Sequence, residues 1–191
     1  MTILKARILI VLFVIDIVVV VFFWGEHMNV QFYLEQSQAD EIMEISKKFE
    51  DDLKVYEIPV WQPHHKATKS YGIVPSDGDD RFGPMTHNIQ LKGLSSEEEI
   101  KTLTFIHKIS RHCICRLDYG KHVAPHNNPD STIIQGPHLH IYKEGLDDDY
   151  AIPLSDVFPK FKGDTVELIK LFLEYCHISY DGVDFQGDLY G

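Results

Sequence analysis

Residues 111–119 read RHCICRLDY and residues 138–142 read HLHIY. In both stretches charged or ring-nitrogen side chains alternate with apolar ones, and a period of two marks a strand with one buried face. In the first, His112, Ile114, Arg116 and Asp118 point one way, and Cys113, Cys115, Leu117 and Tyr119 the other. In the second, His138, His140 and Tyr142 share a face opposite Leu139 and Ile141. Paired with the cysteines and leucines inward, the two strands gather Arg116, His138, His140 and Tyr142 on one sheet surface.

Outward from these strands the chain supplies two helices. Ser37-Gln38-Ala39-Asp40 resembles a capping box with aspartate in place of glutamate. It opens a segment apolar at Ala39, Ile42, Ile45, Phe49 and Leu53, spacing that predicts a helix ending near Leu53–Lys54. Asp164-Thr165-Val166-Glu167 caps a second helix through Cys176, apolar at Val166, Ile169, Phe172 and Leu173. Residues 55–93 predict two or three strands with turns at Pro75–Gly78 and Phe82–Pro84. Further strands are expected within Thr102–Tyr119 and from Ile133 to Lys143. The expected fold is α+β: an antiparallel sheet with an N-terminal and a C-terminal helix packed on one face. It forms a single domain over residues 28–178, between an apolar segment at 1–27 and a loosely packed tail at 179–191.

The connection GKHVAPHNNPDSTIIQG, residues 120–136, adds His122, His126, Asn127 and Asn128 to the same surface. One chemistry that such a surface suits is metal-independent phosphodiester cleavage, as in a toxin-like endoribonuclease. It needs a base, an acid and a cation near the phosphoryl oxygens; histidine serves the first two and the arginine fork the third. His138, His140, His126, Arg116 and Tyr142 would carry the reaction without a cofactor. Arg111, Lys121, His122, Asn127 and Asn128 would bind RNA or a small phosphate ligand.

A metal site is the alternative. His138-x-His140-x-x-x-Glu144 resembles the first cupin motif. That resemblance implies a divalent transition metal such as zinc, iron or nickel on His138, His140 and Glu144, with His122 or His126 as fourth ligand. NPDSTIIQGPHLHIY, residues 128–142, resembles the signature of histidine-triad nucleotide hydrolases, with Tyr142 where the third histidine belongs. By that match His140 would be the nucleophile. Finally, the order helix, RHCICRLDY, H-x-x-x-H-N-N-P-D and G-P-H-L-H-I-Y resembles a small uncharacterised domain family of Gram-positive bacteria and their phages. The resemblance spans roughly Val30 to Phe172; it implies a bacterial or phage origin and no assigned activity.

The net charge of −11 over 191 residues repels a phosphate backbone at long range, so RNA would have to be steered by a local patch around Arg111, Arg116 and Lys121. The same acidity suits a non-catalytic interaction protein with a basic partner. Cys113, Cys115 and Cys176 are expected as buried thiols in a reducing, cytoplasmic setting. His64-His65, Glu97–Glu99 and Asp147–Asp149 are expected on the solvated surface.

The apolar run Ile8–Trp24, broken by Asp16 and preceded by Lys5 and Arg7, reads as a membrane anchor with the domain outside the cytoplasm. The codons for Trp24-Gly25-Glu26-His27-Met28 can also spell GGGGAGA before an ATG. On that reading Met28 is the start and residues 1–27 are translated upstream DNA.

Overall fold

The computed structural model describes residues 9–14, 17–24, 27–32, 34–50, 56–59, 67–79, 81–83, 85–94, 100–109 and 111–186. His64-His65, Glu97–Glu99 and Leu53–Lys54 lie outside the described residues. The chain runs through β1 (Leu9–Val14), β2 (Ile17–Trp24), β3 (His27–Phe32), α1 (Gln36–Glu44), β4 (Lys47–Phe49), β5 (Tyr56–Pro59), β6 (Ala67–Pro75), β7 (Met85–Leu94) and β8 (Ile100–Ile109). It continues through β9 (His112–Tyr119), β10 (His126–Asn127), β11 (Ile133–Ile134), β12 (His138–Lys143), β13 (Asp147–Pro153), α2 (Leu154–Val157), α3 (Thr165–Tyr175), β14 (Ile178–Ser179) and β15 (Val183–Gln186).

The main sheet has eight strands in the order β13-β12-β9-β8-β7-β6-β4-β14, antiparallel except where β14 runs parallel to β4. The pairing of RHCICRLDY with HLHIY is present: His138 stands opposite Asp118, Leu139 opposite Leu117 and His140 opposite Arg116. Ala39 and Ile42 of α1 and Leu168, Ile169, Phe172 and Leu173 of α3 share one buried core with Cys115, Leu117 and Leu139. The fold is α+β, with an N-terminal and a C-terminal helix on the sheet. Each fully buried Leu, Ile or Phe contributes about 1.5–3 kcal/mol through lost apolar exposure.

Two segments take a different conformation from the expected one, each for a local reason. The apolar run forms strands β1 and β2, paired antiparallel with Leu9 opposite Phe22, rather than a spanning helix. Valine and isoleucine are stiff at χ1 and sit well on a pleated surface. No described helix is long and apolar enough to cross a membrane.

The first helix stops at Glu44 and Phe49 belongs to β4, although the apolar spacing continues. Its start also moves, with the Glu35 backbone N–H donating to Gln38 Oε1. Lys47 ends it. Fully buried, Lys47 turns its ammonium back onto the carbonyls of Ile42, Met43 and Ile45, the last at 2.7 Å. A cation on the exposed carbonyls of a helix C-terminus is favourable in charge and in hydrogen bonding.

Within residues 179–191, Ser179 closes β14 and Val183–Gln186 forms β15. β15 runs parallel to β5, and Phe185 is buried.

Candidate metal centre

Strand alternation is kept where β9 meets β12, and broken on either side of it. Between His107 and Lys108 of β8 the β9 register slips, leaving Ile114 as an extra residue. Such a bulge lets two consecutive side chains take the same side. Ile114 therefore joins Cys115 in the core, and Cys113 is left out of that cluster. Cys113 instead feels the charges of Asp148 and Arg116, and burial above all raises its thiol pKa.

The β12–β13 register shifts between Ile141 and Lys143. Tyr142 is not part of the histidine group: its hydroxyl donates to Leu34 O, just before α1. Glu144 is also drawn to α1, where its carboxylate accepts from the Gln36 backbone N–H at 3.1 Å and its own N–H donates to Gln36 Oε1 at 3.0 Å. The cupin-like Glu144 ligand is thus placed elsewhere. His122 is exposed in the turn after β9, and His126 takes the position beside the pair. Neither Arg111 nor Lys121 lines the cleft described below.

His126, His138 and His140 form a compact triangle, with ring centroids 4.5 Å apart for 126–140, 4.7 Å for 138–140 and 5.5 Å for 126–138. Each spends one ring nitrogen on a backbone carbonyl. His126 Nε2 lies 2.9 Å from Asp149 O, His138 Nδ1 2.7 Å from Gly136 O, and His140 Nδ1 2.7 Å from Asp148 O. A carbonyl can only accept, so each of these nitrogens carries the hydrogen and the other offers a lone pair. One nitrogen from each ring lies within 4.8 Å of the other two.

The acceptors are placed by backbone shape. Gly136 has φ 75°, a left-handed conformation that suits glycine, which sets its carbonyl toward the His138 ring two residues on. Asp148 and Asp149 follow Asp147, itself left-handed at φ 50°, as β13 leaves the turn. Asn128 ties the loop to β13, its amide donating to Ala151 O at 2.9 Å and accepting from Ala151 N–H at 2.8 Å. Asn127, its neighbour, is exposed.

Around the triangle stands a charged frame. Arg116 Nη2 lies 2.9 Å from His140 Nε2, its Nε 3.2 Å from Asp118 Oδ2, and its Nη1 pairs with Asp148. Asp118 Oδ1 accepts from the Thr104 hydroxyl at 2.7 Å, and Oδ2 lies 3.4 Å from His140 Nε2 and 3.9 Å from His138 Nε2. Arginine only donates and is closer to His140 than Asp118 is, so Nε2 presents its lone pair to the guanidinium.

Burial alone would raise the Asp118 pKa, but the neighbouring His140, the Thr104 hydroxyl and the Arg116 charge outweigh it and hold the carboxyl at about 2. Burial lowers the pKa of His138 from its ordinary value, which favours the neutral, lone-pair form. A cleft of about 290 Å³ opens onto these groups, with Val123, Ala124 and Pro125 along one lip.

Of the residues read from sequence, His126, His138, His140 and Arg116 come together, and Asn128 braces them. Thr104, Asp118 and Asp148 complete the site. Alternation already put Asp118 on the face of Arg116, whereas Asp148 was hidden in an acidic run and Thr104 required the β8–β9 register. A family model described as a family of unknown function (DUF6978) matches residues 34–178. No curated protein and no solved structure matches the chain.

Proposed function

Because the chain belongs to a family of unknown function, we propose from the site alone that it binds a divalent transition metal through His126, His138 and His140. The observation that carries this reading is the carbonyl bonded to each ring. Metal-binding histidines characteristically donate their second nitrogen to a carbonyl or carboxylate, which fixes the tautomer and aims the lone pair. Three imidazoles suit zinc, iron or nickel, and three protein ligands leave a coordination position open toward the cleft.

Charge supports the same choice. One guanidinium against the carboxylates of Asp118 and Asp148 leaves the frame with a surplus negative charge. That surplus attracts a cation and repels a phosphate. A second reading, metal-independent phosphodiester cleavage by His138 and His140, draws support from the guanidinium beside His140.

The deciding experiment is elemental analysis of protein purified without chelator, followed by Co²⁺ titration of the wild type and His140→Ala. One metal per chain is expected in the wild type. Zinc sites bind with about 10–16 kcal/mol, so a lost imidazole should weaken affinity by more than about 100-fold. Wild-type protein that takes up no metal, yet cleaves RNA, would establish the second reading instead.

A further inference from the structure

Arg116 presents a geometric problem once His140 holds a metal. Its Nη2 lies 2.9 Å from His140 Nε2, the lone pair a metal would take, while Nε and Nη1 are committed to Asp118 and Asp148. The other His140 nitrogen, 3.3 Å from Nη2, already donates to Asp148 O and has no lone pair to give. Metal binding therefore strips Nη2 of its acceptor without releasing the guanidinium, which stays clamped by two carboxylates. The N–H left without that acceptor belongs to a residue that lines the cleft.

Resting on the metal reading above, we infer that the metal and Arg116 Nη2 together form a binding site for a small oxyanion, the phosphate or carboxylate group of a small molecule. One oxygen coordinates the metal and a second accepts from Nη2. Charge agrees with this assignment. The frame of Arg116, Asp118 and Asp148 carries one net negative charge, a dication turns it to one net positive charge, and a single anion neutralises it. The metal-free frame repels an anion, so the anion follows the metal and does not precede it. A cleft of about 290 Å³ with Val123, Ala124 and Pro125 on its lip admits a small molecule and gives the uncharged part of that ligand an apolar wall.

The test uses the Co²⁺-loaded full chain, whose visible spectrum reports the metal's coordination. Inorganic phosphate and acetate are titrated in separate arms against the wild type, Arg116→Gln and Arg116→Lys. In the wild type, at least one of the two anions should shift the spectrum saturably, and the arm with the tighter response identifies the oxyanion class. Both variants should bind Co²⁺ and lose at least tenfold in anion affinity. Arg116→Lys preserves the charge against Asp118 and Asp148, so it guards against a variant that merely unfolds, and thermal melts confirm the fold. A wild-type Co²⁺ spectrum that neither anion moves, or one that phosphate or acetate moves equally in all three proteins, overturns the anion site and leaves the metal centre standing. Absence of Co²⁺ binding in the wild type overturns the metal centre and the anion site with it.

Discussion

The β9–β12 ladder has two faces built on different principles. Toward the helices, Cys115, Leu117 and Leu139 share a dry core with Leu168, Phe172 and Leu173. Toward the cleft, His138, His140, Arg116 and Asp118 each have an identified bonding partner, and the partners are fixed by β8, β13 and the loop before β12. Apolar contact is non-directional and is summed over area. Hydrogen-bonded rings depend on the placement of single carbonyls. One strand pair can therefore separate its tasks: the helix face holds the fold together, and the cleft face carries the candidate site.

Substitutions on one face at a time should break that separation if it is wrong. The largest effect is expected from Phe172→Ala, fully buried in α3. Truncation should cost about 3–5 kcal/mol in denaturant unfolding. Metal stoichiometry of the remaining folded protein should stay unchanged, and a loss of metal from folded protein would show the faces to be coupled.

Asn128→Ala comes next. It leaves the N–H and C=O of Ala151 without their amide partner, for a cost of about 1–3 kcal/mol. Because β13 supplies the carbonyls for His126 and His140, Co²⁺ affinity should fall by roughly 10-fold, the lower end of outer-shell losses. Unchanged Co²⁺ affinity in a destabilised variant would assign Asn128 to folding alone.

The smallest effect sharpens the helix side. Burial pulls the Lys47 ammonium down to about 8 from 10.5, although the charges of Cys176 and Glu44 oppose the shift. Between those two values the unfolded chain holds the proton and the folded one does not, so stability rises with pH. Relative to Lys47→Met, the wild type should gain about 1 kcal/mol between pH 7 and 9, read from urea midpoints. A constant difference across that range would mean that Lys47 stays charged in its carbonyl cage.

Much of this was legible in the sequence where the cause is local. The Asp164 cap of α3 is one case, its side chain accepting from the Glu167 N–H as the four residues DTVE suggest. The shared face of His138 and His140 is another, set by strand period alone. The illegible parts arise from contacts and irregularities that residue spacing does not encode. The end of α1 depends on Lys47 bending back over carbonyls. The fate of Tyr142 depends on Leu34, more than a hundred residues earlier. The role of Asp148 depends on a hairpin whose three aspartates look, in one dimension, like solvated surface. Cys113 changed sides through one inserted residue, Ile114, and no periodicity rule locates a bulge in advance.

The side chains that tie the loop to β13 have a further consequence for how the protein behaves in a crowded solution. β13 is the outermost strand of the sheet at that end, and such a strand offers unpaired backbone groups to any passing extended chain. Here Asn128 occupies both groups of Ala151, and His126 occupies the carbonyl of Asp149. Asn128 and His126 thereby also cover this margin of the sheet against strand addition, so their loss invites self-association.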